Sequence, residues 1–87
     1  MSVVPHQISV DQHVGRRLQS ALRETAMTQV GIAQALGVSD DLVRAWCLGE
    51  TRVGAEMLFR LTSLTGKRIG YFYEGFGLAW EASALEG

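Results

Sequence analysis

Residues 28–46 read T-Q-V-G-I-A-Q-A-L-G-V-S-D-D-L-V-R-A-W, and the order of small, polar and apolar residues in this stretch decides the fold. Two short helices that cross steeply and share a three- or four-residue turn need a small residue on the first where the second approaches. Ala33 supplies it. The chain must also leave the first helix through a left-handed backbone conformation, which glycine adopts without penalty, and Gly37 stands at that place. Ser39 is then placed to cap the next helix by accepting from an amide two or three residues on, and Asp40 and Asp41 suit the positive end of its dipole. Ile32, Leu36, Val38, Val43 and Trp46 are spaced so that each helix turns one stripe toward the other and toward a common core. With about eight positions in register, chance is a poor explanation. A helix-turn-helix is expected.

The surrounding sequence supplies the rest of an all-α domain. Ser9 and Gln12 have the spacing of a capping box, and Val14, Leu18, Leu22 and Thr25 continue it as a helix over about residues 10–26. Gly49 closes the helix that follows Ser39, and E-T-R-V-G forms a loop. Leu58, Leu61 and Leu64 give the next helix a buried stripe that ends at Gly66. Ile69, Phe72, Tyr73 and Phe76 line one face of a short last helix. Residues 1–9, which hold the only proline and no helical period, read as a flexible arm; 10–76 read as the domain and 77–87 as a C-terminal tail.

Composition fits one small domain. A chain of 87 residues buries roughly 60 per cent of its unfolded surface on folding. The lone cysteine, Cys47, rules out an internal disulfide framework, no apolar run is long enough to span a membrane, and the N-terminus lacks a basic-then-apolar signal, so a cytoplasmic protein is expected. Net charge is -1, but it is unevenly spread: residues 1–68 carry all eight Lys and Arg against six acids, and residues 69–87 carry three acids and no base. A mildly basic head with an acidic tail suits contact with a polyanion through one face only.

From about Val10 to Phe76 the chain resembles the Cro and lambda-repressor-like (XRE-type) regulators. The likeness is carried by V-G-R-R-L in the first helix, T-Q opening the second, A-L-G-V-S at the turn, W-C-L-G-E-T-R-V-G after the third, and L-F-R-L continuing into I-G-Y-F-Y-E-G-F. The resemblance implies five helices around one core, with the third, about residues 39–48, in the major groove of double-stranded DNA. It places Thr28, Gln29 and Arg52 on backbone phosphates, and Ser39, Asp40, Asp41, Arg44 and Ala45 toward base edges. Arg16, Arg17 and Arg23 on the first helix are weaker phosphate candidates. The two neighbouring aspartates are unusual for such a helix, since phosphate repels them unless they accept from cytosine amino groups; otherwise they serve only as helix-start residues and leave Arg44 the one strong donor.

Other departures from the family are structural. Ala26 stands where many relatives have a helix-ending glycine, and Leu22 and Cys47 replace an ion pair that in many relatives ties the first helix to the third. Both partners are exchanged for apolar groups, so no charge is stranded. Relatives also pair through the C-terminal region into two-fold dimers, which assigns Ile69, Tyr73, Phe76, Leu78 and Trp80 to a homodimer surface, with Phe72 kept for the core. The same surface could hold a protein partner such as a toxin.

Enzymatic readings find no support: His6 and His13 lack clustered ligands, Cys47 has no histidine near it in sequence, and no phosphate-binding glycine loop follows a strand. No cofactor or metal is expected. Three functions stay open: a homodimeric sequence-specific regulator, a protein-interaction module that has lost its base readout, and an antitoxin that does both.

Overall fold

Ser9 accepts a hydrogen bond from the Gln12 amide at 3.1 Å while the Gln12 side chain accepts from the Ser9 amide at 3.2 Å. This reciprocal capping box opens helix α1, Val10–Glu24. The structure is a computed structural model that describes residues 9–76. It continues with α2 (Gln29–Leu36), α3 (Asp40–Leu48), α4 (Ala55–Thr65) and a 3-10 helix, Ile69–Tyr73. No strand occurs among the described residues. The expected arm is described only at Ser9 and the expected tail, residues 77–87, lies outside this range.

The first three helices stop by one device. Gly37 takes φ 74° and lets the Val38 amide return to the Ala33 carbonyl at 3.0 Å. Past Gly49 the Glu50 amide returns to Ala45 at 2.9 Å. Past Ala26 the Met27 amide returns to Leu22, also at 2.9 Å. Ala26 does this at φ 57° although it carries a Cβ, a conformation that costs a non-glycine residue on the order of 1 kcal/mol. This early stop ends α1 at Glu24, two residues short of the expected boundary, with the Thr25 hydroxyl bonded to the Ala21 carbonyl at 2.8 Å.

Two expectations need correcting. The fifth helix is not an α-helix: its five residues form 3-10 turns, and Gly70 within it and Gly75 just beyond, at φ 89°, leave too little helix-forming chain for an α-helical ladder. Leu64 does not belong to the buried stripe of α4. It is 37% exposed, and the inward position is taken instead by Thr65, whose hydroxyl is satisfied by the Leu61 carbonyl at 2.7 Å.

The core is otherwise the expected one. Val14, Leu18 and Leu22 from α1 meet Ile32, Ala33 and Leu36 from α2, Val43, Trp46 and Cys47 from α3, Leu58 and Leu61 from α4, and Phe72 from the 3-10 helix. The main axis of packing is α1 against α3, with α2 against α3 beside it and the 3-10 helix against α1. The Leu22 and Cys47 pair is buried on both sides. Burial pushes the Cys47 thiol up to about 11, which leaves it protonated and inert at neutral pH.

One polar clamp fastens the C-terminal turn. The Arg17 guanidinium stacks 4.0 Å from the Tyr71 ring centroid, donates Nε–H to the Tyr71 carbonyl at 2.8 Å and pairs with Glu74 at 2.9 Å. Lys67 lies toward the same ring and pairs with Glu24, which also accepts from the Tyr71 hydroxyl. The Lys67 hydrogen bond, aided by that from Tyr71, holds the Glu24 carboxyl below its ordinary value. Arg17 is therefore engaged within the fold, which sets it apart from Arg16 and Arg23 among the weaker phosphate candidates.

Candidate nucleic-acid interface

Helix periodicity divides α3 into two faces. Val43, Trp46 and Cys47 go inward, so Asp40, Asp41 and Arg44 are exposed and Ala45 sits half-buried at the edge of the same face. Ser39 caps the helix, its hydroxyl accepting from the Leu42 amide at 3.1 Å. The five residues expected at base edges therefore share one end and one side of α3. Leu48 continues their stripe, four residues beyond Arg44, and is 53% exposed. The sequence reading passed over it; its i+4 spacing from Arg44 was the available signal.

Arg44 is not committed to the protein. Its one partner among the described residues is Asp41, at 3.4 Å, with both side chains well exposed. A pair of this kind is worth at most about 1 kcal/mol, less than the ~1–3 kcal/mol of a bidentate arginine–guanine contact. Among the described residues Arg44 is therefore held only weakly.

At the start of α2, Thr28 is the N-cap and its hydroxyl accepts from the Gly31 amide at 2.9 Å. Gln29 and Val30, the first two helical residues, fall among those whose amides have no acceptor within a helix. Thr28 is exposed and Gln29 half-buried. Helix start and exposed α3 face belong to one packed pair, α2 on α3, as anion contact beside a groove-filling helix requires.

Arg52 lies in the loop after α3 and is 72% exposed at its side chain, but it is not solitary: Nε donates to Asp11 Oδ1 at 2.9 Å. Asp11 was not among the sequence candidates. The two are 41 residues apart, and no local pattern connects them. Arg23 bonds only Ser20, and Arg16 is exposed without a protein partner among the described residues. His13 bonds the Glu74 carbonyl at 2.7 Å, and no group of three metal-ligating side chains occurs among the described residues.

Of the expected dimer surface, Ile69, Tyr73 and Phe76 are 48%, 43% and 41% exposed on the C-terminal turn, while Phe72 is fully buried. Leu78, Trp80 and His6 lie outside the described residues.

The described residues thus define an all-helical domain built on a helix-turn-helix, with α2 and α3 as its two arms. The chain is similar to two uncharacterised HTH-type transcriptional regulators of Sinorhizobium fredii (strain NBRC 101917 / NGR234), y4aM at 33% identity and y4wC at 32%, each over 66 residues. The match takes in 76% of this chain and 46% of each relative, so the chain spans about half the length of the curated relatives it matches. No family model and no solved structure matches the chain. The likeness supports the helix-turn-helix regulator class without singling out the Cro and lambda type. No helix among the described residues is long and apolar enough to cross a membrane.

Proposed function

We propose that this domain binds duplex DNA sequence-specifically as part of a transcriptional regulator of the Cro and lambda-repressor (XRE) type. In this reading α3 enters the major groove, the start of α2 and Arg52 hold phosphates, and the domain works as a homodimer in the cytoplasm. The observation that carries it is the division of α3: a buried face locked by Val43, Trp46 and Cys47, and an exposed face whose polar residues are free of the core. Base readout needs that rigidity behind and that freedom in front.

The acidic start of the exposed face favours a second reading, in which the fold holds a protein partner and reads no DNA. Selection of sites from a random duplex pool, followed by salt titration of any enriched sequence, separates the two. The DNA reading expects an enriched, two-fold related site and an affinity that falls steeply with salt. No enrichment and no binding at low salt would leave the protein-interaction module.

Within the DNA reading Arg44 and Arg52 divide the work. Arg44→Ala should cost about 1–3 kcal/mol at one base pair and relax preference there. Arg52→Ala should weaken every sequence alike and lower the salt slope by about one. Uniform losses from both variants across a panel of sites would refute this division.

The dimer element rests on the apolar turn. Tyr73→Arg combined with Phe76→Arg places two cations on that surface and should yield monomers in sedimentation at concentrations where the parent chain is dimeric. The pairing fails as an assignment if the variant keeps the dimer mass or if the parent is itself a monomer.

A further inference from the structure

Arg52 lies between two fixed points. Val53, the next residue, is buried in the core, and Gly49, three residues back, presses so closely on α1 that a Cβ there would come within 2.6 Å of the Gln12 Cα. The loop thus reaches the first turn of α1 at a set height. Asp11 stands on that turn, beside the Ser9 and Gln12 capping box, and its side chain is 26% exposed against 72% for Arg52. The carboxylate is the more enclosed partner and the guanidinium the more exposed one. Their bond uses Nε, at 2.9 Å, and the two terminal amino groups have no acceptor among the described residues. The pair overhangs a notch of about 150 Å³ lined by Val10, Val14, Val53 and Tyr73.

We propose that Asp11 is a positioning residue for DNA binding: it holds Arg52 by Nε so that the planar pair of terminal amino groups is presented outward to a phosphate oxygen. The proposal rests on the reading of this domain as a DNA-binding unit. An arginine side chain samples many rotamers when free, and fixing one before binding removes an entropic cost from the contact. The remaining two-pronged edge can still donate two parallel hydrogen bonds to a phosphate.

The alternative role for Asp11, as a carboxylate favourable to the α1 dipole, has the opposite consequence for DNA. An anion near a phosphate site repels the duplex, so removing its charge alone must tighten binding. Loss of positioning must weaken it. Asp11→Ala, which removes the acceptor together with the charge, therefore separates the two by sign, and alanine suits the second helical position that Asp11 holds, whereas asparagine would keep an oxygen able to accept from Nε.

The experiment measures affinity of the full chain for a fluorescent mixed-sequence duplex in low and moderate salt, for the parent, Asp11→Ala, Arg52→Ala and the double variant, with thermal melts as a folding control. The expected result is binding about three- to fivefold weaker for Asp11→Ala, and no further loss when Asp11→Ala is added to Arg52→Ala. Tighter or unchanged binding for Asp11→Ala overturns the proposal, as does an equal loss in the Arg52→Ala background. A parent chain that binds no duplex at low salt overturns the DNA reading and this proposal with it, a result distinct from either of those. A readout independent of DNA is the Arg52 Nε–H resonance, which should be protected from solvent exchange in the parent and lose that protection in Asp11→Ala; an unprotected parent signal also counts against it.

Discussion

Gly15→Ala is expected to destabilise the domain by about 2 kcal/mol or more, the reverse of what glycine-to-alanine exchange does in an ordinary helix. Alanine within a helix gains up to about 1 kcal/mol over glycine, and Gly15 lies in the middle of α1. Here that gain is overridden by α3. A Cβ on residue 15 would fall on the Trp46 carbonyl oxygen and 2.6 Å from that of Cys47. Both are backbone atoms of a helix whose end is fixed by Gly49, so the neighbour cannot rotate away as a side chain would. Relief requires α1 and α3 to separate, and that interface is the main packing in the domain. A domain of this size has a total stability near 5–10 kcal/mol, so the melting temperature should fall by about 10 °C or more. Gly31→Ala is the internal comparison. In α2 the added Cβ meets only the Thr28 hydroxyl, at 3.1 Å, and the cost of disturbing that cap roughly offsets the helix gain. Thermal melts of both variants check the argument, and a Gly15→Ala protein as stable as the parent would mean that α1 and α3 do not approach so closely.

Gly15 also marks where the sequence stops being readable. The motif of residues 28–46 could be worked out locally because each signal acts within a few residues: Ser39 on Leu42, Gly37 between Ala33 and Val38, Ser9 with Gln12. Gly15 and Gly49 are needed for close approach between segments distant in sequence, and a glycine inside an amphipathic helix is locally only a weak spot. Asp11 with Arg52 and Arg17 with Tyr71 are hidden for the same reason. Arg17 shows how this misleads, since its neighbour Arg16 is equally basic and only the tertiary fold decides which of them faces solvent. Leu64 and Thr65 show the limit of periodicity: leucine fits the spacing, but the rotation of α4 puts threonine inside, where its hydroxyl finds the Leu61 carbonyl. The last helix is legible as an element but not by type, because apolar spacing over so few residues does not distinguish α from 3-10 turns.

The largest loss of stability is expected from Phe72→Ala, at about 3–5 kcal/mol. Phe72 is the largest of the fully buried side chains and comes from the most weakly self-supporting element, a five-residue 3-10 helix. That turn is held in two ways. Outside, Arg17 ties Tyr71 and Glu74 to α1 through contacts that are half-exposed, and exposed pairs and cation–π contacts each contribute no more than about 1 kcal/mol. Inside, Phe72 is buried in the core where the 3-10 helix packs on α1 and α4, with the Tyr71 ring edge-on at 5.5 Å. If the inner anchor dominates, Arg17→Ala should lower stability by only about 1–2 kcal/mol, well under half the effect of Phe72→Ala. Comparable losses from the two would show that the clamp holds the turn. The result bears on function as well, because Ile69, Tyr73 and Phe76 are presented by the turn that Phe72 anchors, while the exposed face of α3 is not. Under the proposed function, Phe72→Ala studied at low temperature, where it stays folded, should dissociate the dimer before the single domain loses its salt-dependent affinity for DNA. Loss of monomer affinity at the same point would mean that the C-terminal turn and the recognition helix are held by one cooperative core.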